Sequence, residues 1–360
     1  MQRQVSLDIF RGLTLAAMLL VNNPGSWAFV YSPLQHAQWH GLTPTDLIFP
    51  FFIFIVGAAL FHSMRKVSTG QVPWVKIIKR TVLLFVIGFL LNIFPFTTPI
   101  ENWRVMGVLQ RIALCYGVGA VLICVLSRKQ LLIATAAILI GYWLLLMSVD
   151  NPFTLEGNLV RQVDIPLFGL SHLYQGFGIA FDPEGLLSCL PAIATLFIGY
   201  FTSAMLAKQV SDKARIKTLL LWALVTLAVT QLWQQWFPIN KALWTSTYVL
   251  VTSACAWLIL ALIIFIYDIK KLQRGFEWAK VYGSNPLFIY VLAWLFSSTL
   301  ALISWRNDTA ELTNIHQFFY TNLSSIMSPI NASLVFAILF VCVFYLVSAW
   351  LFTRNIFIKL

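Results

Sequence analysis

The feature that most constrains the fold of this chain is a series of long apolar segments separated by short polar ones. Each segment is about 20 residues long, which is the length that a helix needs to cross the hydrocarbon core of a bilayer. Ten such segments occur, at residues 7–24, 45–64, 77–96, 107–126, 130–149, 185–207, 216–236, 244–267, 283–304 and 332–353. The sequence therefore predicts an all-α, polytopic transmembrane bundle of about ten spans, formed by residues 1–360 as a single domain.

The composition is that of a multi-pass membrane protein. Hydrophobic residues make up 59% of the chain and charged residues 10%, whereas soluble domains contain about 25% charged residues. The five cysteines lie inside apolar segments at irregular spacing, so we interpret them as small core residues, with neither a disulfide framework nor a metal site. The first apolar segment carries Asp8 and Arg11 and has no small-residue cleavage site, so no cleavable signal peptide is predicted.

The distribution of basic residues predicts the orientation of the spans. With the N-terminus in the cytoplasm, eighteen Lys and Arg residues fall on the cytoplasmic side, and four fall outside, namely Arg104, Arg161, Lys241 and Arg306. Loops rich in Lys and Arg stay in the cytoplasm, so both termini are expected there. Topology then explains the net charge of +11, and we expect the bilayer as a partner and no nucleic acid.

The loop between the first two spans is rich in polar side chains. His36 and His40 precede Asp46, which opens the second span, in a stretch without Lys or Arg. The ten residues from His36 to Asp46 allow the loop to fold back and bring an imidazole against the carboxylate, which would fix the tautomer and raise its basicity. The alternative is that Asp46 only caps its helix. Two histidines beside one acid favour a functional site.

Polar residues also mark the inner ends of two spans. Asp8 and Arg11 are three residues apart on the first span, which suits either a structural ion pair or a groove for an anionic cofactor. Ser284, Asn285 and Pro286 open the ninth span, where the proline predicts a kink and helix-terminal N–H groups could meet a phosphate.

A second group of polar residues lies at the outer ends of the spans. Its members are Arg104, Gln110, Arg111, Asp182, Glu184, Lys241 and Trp244. The opposite charges in this group form either salt bridges that hold the bundle together or a binding site for a polar ligand such as a sugar. A cation next to an indole face suits a carbohydrate.

These polar positions together resemble one known family. Residues 36–46 read His-Ala-Gln-Trp-His-Gly-Leu-Thr-Pro-Thr-Asp, and Phe-Pro-Phe-Phe follows at 49–52. This stretch resembles the central motif of the heparan-α-glucosaminide N-acetyltransferase family and its bacterial relatives. Further matches run in order from residue 8 to about 290, at Asp8-x-Phe10-Arg11-Gly12, Gly107-Val-Leu-Gln110-Arg111, Asp182-Pro-Glu184-Gly185, Pro238-Ile-Asn-Lys241-x-Leu-Trp244-Thr-Ser and Asn285-Pro286-Leu-Phe. The resemblance covers most of the chain.

The resemblance implies a transmembrane acyltransferase that moves an acetyl group from cytoplasmic acetyl-CoA to an amino sugar or glycan on the extracytoplasmic side. It implies His36 as the catalytic residue, together with Asn22 at the end of the first span, and Asp46 would orient the imidazole. With the patterns above, it predicts Asp8, Arg11, Ser284 and Asn285 as cofactor-binding residues. The predicted acceptor-binding residues are His40, Arg104, Gln110, Arg111, Asp182, Glu184, Lys241 and Trp244, and no metal is expected.

The chain departs from the family pattern in two respects. Eukaryotic members have Asn in place of His40, so the division of labour between the two histidines stays open. The chain lacks the long lumenal N-terminal extension of the lysosomal enzyme, so we expect a minimal form in a bacterial inner membrane.

An amino-sugar transporter of the N-acetylglucosamine type is the main alternative function, although no internal repeat is visible. A scaffold without a small ligand fits poorly with so many polar residues, and a homodimer stays open.

Overall fold

The chain folds almost entirely into helices, which confirms the all-α prediction. The computed structural model describes residues 4–65, 67, 70–306 and 312–358. The helices are α1 (Val5–Asn22), α2 (Ile48–Met64), α3 (Trp74–Ile93), α4 (Val108–Val125), α5 (Arg128–Leu146), α6 (Leu159–Phe168), α7 (Cys189–Lys208), α8 (Asp212–Trp233), α9 (Ser246–Ile263), α10 (Glu277–Tyr282), α11 (Pro286–Leu302), α12 (Ile315–Ser324) and α13 (Pro329–Thr353). Two short antiparallel strands, β1 (Ser304–Arg306) and β2 (Leu312–Asn314), pair with Trp305 opposite Thr313.

Every predicted span coincides with a helix, namely α1–α5, α7–α9, α11 and α13. Within the described residues, eight helices are long and apolar enough to cross a membrane, or nine if the helices on either side of Ser284 form one bent span. Those two helices meet at 72°, immediately before Pro286, where a kink was predicted. Helix α3 is 20 residues long but carries three cations in its first two turns. The total of ten spans therefore stays a prediction.

The chain divides into two compact units. Unit 1 contains residues 1–36, 43–48 and 263–359, and unit 2 contains residues 37–42 and 49–262. The assignment of residues 1–360 to a single domain stays a prediction. Three cations that support the predicted orientation, Arg3, Lys66 and Lys359, lie outside the described residues.

In unit 1, α1 packs against α10, α11 and α13. The approach of α1 to α10 is so close that a Cβ atom on Gly12 would lie 1.7 Å from the carbonyl oxygen of Ala279. Small residues at such crossings let membrane helices pack backbone to backbone, because lipid supplies no hydrophobic force to bring them together. This contact fixes the N-terminal half of α1, where Asp8 and Arg11 lie.

In unit 2, α4 and α5 pack against α7, and α3 packs against α4. Two glycines let α2 and α7 touch: a Cβ atom on Gly57 would lie 1.8 Å from the Leu196 carbonyl oxygen, and one on Gly199 would lie 2.0 Å from that of Phe54. The buried core of this unit contains large side chains such as Tyr116 and Trp244. All five cysteines of the chain are free thiols.

Candidate functional site

The centre of the candidate site in unit 1 is a hydrogen bond between His36 and Asp46. The Nδ1 atom of His36 lies 2.7 Å from the Oδ1 atom of Asp46, as the loop prediction required. The side chain of His36 is 49% exposed, whereas that of Asp46 is fully buried. A carboxylate only accepts hydrogen bonds, so Nδ1 carries the proton and donates it. The lone pair of the imidazole then resides on Nε2.

Local interactions explain why the loop presents His36 in this position. Thr43 precedes a 3₁₀ turn at Pro44–Leu47, and its N–H donates to Oδ2 of Asp46 at 3.0 Å. Its hydroxyl donates to the carbonyl oxygen of Gln35, the residue before His36, at 2.7 Å, and the hydroxyl oxygen lies 3.0 Å from Oδ2 of Asp46. Asp46 therefore caps its helix and also holds the histidine, so the two alternatives proposed for this acid coexist.

The chain between α1 and His36 is fastened to α13 and α12. The N–H of Gly25 donates to the Ser333 carbonyl oxygen at 3.1 Å, and the N–H of Ser26 donates to the Ser333 hydroxyl at 3.0 Å. His316 of α12 lies with Nε2 3.2 Å from the carbonyl oxygen of Pro24. The loop that carries His36 is thus held at its beginning as well as at its end.

Asn22, the predicted oxyanion donor, is the last residue of α1, and its side chain is exposed. In the described part of the chain, no hydrogen bond joins Asn22 to His36 or Asp46. The next residue, Asn23, is buried and donates from Nδ2 to the Leu19 carbonyl oxygen at 2.8 Å, which closes the helix. The catalytic role of Asn22 therefore stays a prediction.

The predicted cofactor residues lie at the other end of α1 and at the break before α11. Arg11 donates from Nη1 to Oδ1 of Asp8 at 3.1 Å and to the Gly283 carbonyl oxygen at 3.4 Å, and its side chain is 23% exposed. Asn285 is buried, and its amide bonds to the backbone of Ile356 and Ile358 at 2.8 and 2.7 Å. Asn285 thus fastens the C-terminal segment, and Arg11 keeps an accessible cation beside the break.

His40 belongs to unit 2, and its ring is oriented by Asn240. The Oδ1 atom of Asn240 accepts from the N–H of Leu243 at 2.8 Å, which fixes the amide orientation, and Nδ2 faces Nδ1 of His40 at 3.2 Å. Nδ1 of His40 is therefore an acceptor, and Nε2 carries the proton. Partial burial lowers the pKa of His40, which favours the neutral form of the ring. Trp39 is held beside it by a 2.7 Å bond from its indole N–H to the Phe153 carbonyl oxygen.

The predicted outer charges form an ion-paired cluster in unit 2. Arg104 makes a bidentate pair with Asp182, with both N–O distances 2.8 Å, and contacts Glu184 at 2.5 Å. Its guanidinium group also stacks over the ring of Tyr174, 4.7 Å from the centroid. These acids raise the pKa of Arg104 despite burial. The structure therefore brings these three predicted residues together as the salt-bridged alternative describes.

Arg111, Gln110 and Trp244 are almost completely inaccessible to solvent. Arg111 donates from Nη2 to the Gly185 carbonyl oxygen at 3.1 Å and to the hydroxyl of Ser188, and its guanidinium group lies 4.8 Å from the Trp244 ring. Gln110 donates to the Val105 carbonyl oxygen at 3.0 Å. These side chains belong to the buried interior of unit 2, and Lys241 lies in the turn before Trp244.

Two residues that sequence reasoning left out contribute to this region. Asn240 is fully buried and sets the orientation of His40, and its place in the Pro238-Ile-Asn240 stretch was the only signal. Asp164 of α6 is also fully buried: Oδ1 accepts from the Leu186 N–H at 3.0 Å, and Oδ2 has no hydrogen-bond partner. Burial, with a contribution from Asp182, raises the pKa of Asp164 to about 7. Among the described residues, no cluster of His, Cys, Asp and Glu side chains suits a metal ion.

Comparison with known proteins identifies the family. A family model described as heparan-alpha-glucosaminide N-acetyltransferase, catalytic, matches residues 3–233. The human protein named heparan-alpha-glucosaminide N-acetyltransferase is 29% identical in an alignment that covers 79% of this chain and 52% of the human protein. The mouse protein of the same name is 28% identical, with coverage of 79% and 52%. The chain spans about half the length of these relatives. A match over more than half of the chain shows that it belongs to the heparan-alpha-glucosaminide N-acetyltransferase family.

Proposed function

We propose that this protein is a transmembrane acyltransferase that moves the acetyl group of cytoplasmic acetyl-CoA to an amino sugar or glycan on the extracytoplasmic side. Membership of the family supports this reaction. The single observation that carries the proposal is the 2.7 Å bond between the buried carboxylate of Asp46 and Nδ1 of His36. It leaves the exposed imidazole with its lone pair on Nε2, which is the arrangement that a general base or nucleophile needs.

The proposed chemistry forms a C–N bond and breaks the C–S bond of the thioester. In direct transfer, Nε2 of His36 takes a proton from the acceptor amine as the nitrogen attacks the acetyl carbonyl, and the thiolate of CoA leaves. In the two-step route, Nε2 first carries the acetyl group and then passes it to the amine. In both routes Asp46 stabilises the cationic ring. Asn22 would donate to the developing oxyanion, a contribution of about 3 kcal/mol where such donors have been removed in other enzymes.

Acetyl-CoA is proposed to approach from the cytoplasm with its phosphates near Arg11. The partly exposed guanidinium group fits this role, because it is positioned by Asp8 and lies at the helix break. Ser284 and Asn285 support the break, since their side chains bond to the backbone of Val281 and of the C-terminal segment. We propose that these four residues form the phosphate end of the cofactor site, without a metal.

For the acceptor, we propose that residues of unit 2 supply the polar contacts. His40 offers an Nε2–H donor, and the Arg104–Asp182–Glu184 cluster offers hydrogen-bonding edges of both charges. The almost completely buried side chains Gln110, Arg111 and Trp244 would hold these polar groups in place through packing and would not contact the acceptor themselves. Lys241 adds a cation at the turn that precedes Trp244. Opposite charges and amide groups suit the hydroxyl and amino groups of a sugar.

The topology required by this function is ten spans with both termini in the cytoplasm, in a bacterial inner membrane. The eighteen-to-four distribution of Lys and Arg supports this orientation. Helix α3 then counts as a span whose first turns lie at the cytoplasmic interface, because lysine and arginine side chains reach from a helix end to the headgroups.

The test is acetyl transfer from acetyl-CoA to glucosamine by the purified protein in proteoliposomes. The substitution His36→Ala should abolish transfer while CoA still binds, because the base is lost and the cofactor residues remain. The matched control, His40→Asn, should keep measurable activity, since asparagine retains a donor. An active His36→Ala variant beside an inactive His40→Asn variant would reverse the assignment. Sugar transport without any acetyl transfer by the unmodified protein would favour the transporter instead.

A further inference from the structure

The exposed surface of α3 and α4 contains an apolar groove that the proposed reaction does not use. The groove has a volume of about 390 Å³ and lies in unit 2. Its lining is almost entirely aliphatic, with Ile78 and Val82 on one wall and Val118 and Val121 on the other. Trp74, the first residue of α3, stands at one end and is 55% exposed.

The length of the groove matches one leaflet of a bilayer. It extends along α3 from Trp74 to Val82, which at 1.5 Å per residue is about 12 Å. One leaflet contributes about 15 Å of hydrocarbon. An exposed tryptophan at the start of a membrane helix is typical of the headgroup level. An acyl chain that begins beside Trp74 would therefore fill the groove within a single leaflet.

The end of the groove next to Trp74 is strongly basic. Lys76, Lys79 and Arg80 occupy the first two turns of α3, and none of the three forms a salt bridge with an acid in the described part of the chain. Lys79 lies on the same exposed helix stripe as Val75, Ile78 and Val82. The charge of Lys79 therefore lies beside one wall of the groove.

Arg80 does not contribute to this end of the groove. Its guanidinium group lies over the ring of Tyr116, 4.6 Å from the centroid, and Tyr116 belongs to the buried core. The hydroxyl of Thr81, which lines the groove seven residues after Trp74, is buried and has no hydrogen-bond partner. The charge available to a headgroup at the Trp74 end is therefore that of Lys76 and Lys79.

We propose that this groove binds one anionic phospholipid, with an acyl chain between α3 and α4 and the phosphate group at Lys76 and Lys79. Charge complementarity selects an anionic headgroup over a zwitterionic one, because basic clusters at the cytoplasmic end of membrane helices attract acidic lipids. The lipid would not contact the proposed transferase residues of either unit, and it would not take part in the reaction.

The experiment reconstitutes the full chain in vesicles of equimolar phosphatidylglycerol and phosphatidylcholine with identical acyl chains. Mild detergent extraction and native mass spectrometry then count the lipids that remain bound. We expect one phosphatidylglycerol to be retained in preference to phosphatidylcholine. Removing the charges with Lys76→Gln and Lys79→Gln should weaken retention about fivefold per cation, which corresponds to about 1 kcal/mol each.

Two further variants separate this groove from a general attraction to charge. The matched control replaces Lys213 and Lys217, which are exposed in the first turns of α8, by glutamine and should retain the lipid. The variant Val118→Trp fills the groove while leaving every charge, and it should lose the phosphatidylglycerol; Val82→Trp replaces it if Val118→Trp fails to fold. Equal retention of both lipids, loss in the α8 control, or a dimer that Val118→Trp dissociates would overturn the proposal.

Discussion

Replacing Asp46 by asparagine tests the proposed coupling between the buried carboxylate and the tautomer of His36. The carboxylate accepts from His36 Nδ1 at 2.7 Å and from the Thr43 N–H at 3.0 Å, and the Thr43 hydroxyl oxygen lies 3.0 Å from Oδ2. An asparagine has nearly the same size but only one oxygen. It cannot accept from His36 on one side and from Thr43 on the other.

Both orientations of the new amide damage the site. If its oxygen faces His36, its NH₂ group points at the N–H of Thr43, and two donors meet where the helix cap was. If its NH₂ group faces His36, Nδ1 must become an acceptor, so the proton moves to Nε2 and the base is lost. The second orientation keeps the cap, so we expect it to be preferred.

The expected size of the effect follows from these contacts. General-base catalysis contributes about 10²-fold to 10⁴-fold, so kcat should fall by at least about 10²-fold, or about 2.7 kcal/mol of transition-state stabilisation. Loss of hydrogen bonds to a charged group costs about 1.5–3 kcal/mol in the free energy of unfolding. Affinity for CoA should not change, because the cofactor residues lie at the opposite end of α1.

The assay measures initial rates of acetyl transfer to glucosamine in proteoliposomes, with CoA affinity and thermal stability measured on the same preparations. The control is Asp212→Asn, which makes the same chemical change at a carboxylate that is 33% exposed and pairs with Arg215 at the start of α8. The control should keep its full rate. An Asp46→Asn variant whose kcat stays within about threefold of the unmodified protein would refute the proposed role of the dyad.

Three other predictions concern the cofactor, the topology and Asp164. The variant Arg11→Ala should weaken CoA binding in a titration while the protein stays folded, and unchanged affinity would place the phosphate site elsewhere. A reporter fused after Ser127 should read as cytoplasmic and one within residues 150–184 as external; the reverse pair would invert the bundle. The pKa of Asp164 is raised from 3.8 to about 7, so the folded state binds its proton more tightly and the free energy of unfolding should fall as pH rises from about 4 to 7. Asp164→Asn should flatten that fall in thermal-shift measurements, and an unchanged slope would contradict it.

The long helices were predictable because each requires a run of apolar residues that nothing else in the sequence imitates. Shorter elements were not predicted: α6 and α12 fall in segments that were assigned to outer loops. Both helices begin at an asparagine, Asn158 or Asn314, whose Oδ1 accepts a backbone N–H three residues later at 2.9 or 2.8 Å. These caps are local signals, but asparagine is favoured in turns as well as at helix starts. The hydropathy pattern therefore missed these helices.

Contacts between residues close in sequence were also predictable. Asp8 and Arg11 pair at the expected spacing, and the ten-residue loop from His36 returns to Asp46. The partner of Arg111 was not predictable, because it is neutral: a backbone carbonyl group and the hydroxyl of Ser188. The contact between Ser333 and the loop that carries His36 was not predictable either, because Ser333 is neutral and lies about 300 residues away in sequence. Neutral long-range partners leave no charge pattern in a single sequence.

The two histidines of the loop differ in chemistry because their partners differ. A carboxylate can only accept a hydrogen bond, so Asp46 makes Nδ1 of His36 the protonated nitrogen and Nε2 the basic one. The amide of Asn240 presents its NH₂ group to His40, because its oxygen is already bonded to the N–H of Leu243. Nδ1 of His40 is thereby an acceptor, and its Nε2–H is a donor. An asparagine in place of His40 would supply a donor as well, whereas no amide can replace the base at His36. Position 40 is therefore expected to tolerate asparagine, and position 36 is expected to tolerate no replacement of the histidine. Both expectations follow from the two hydrogen bonds.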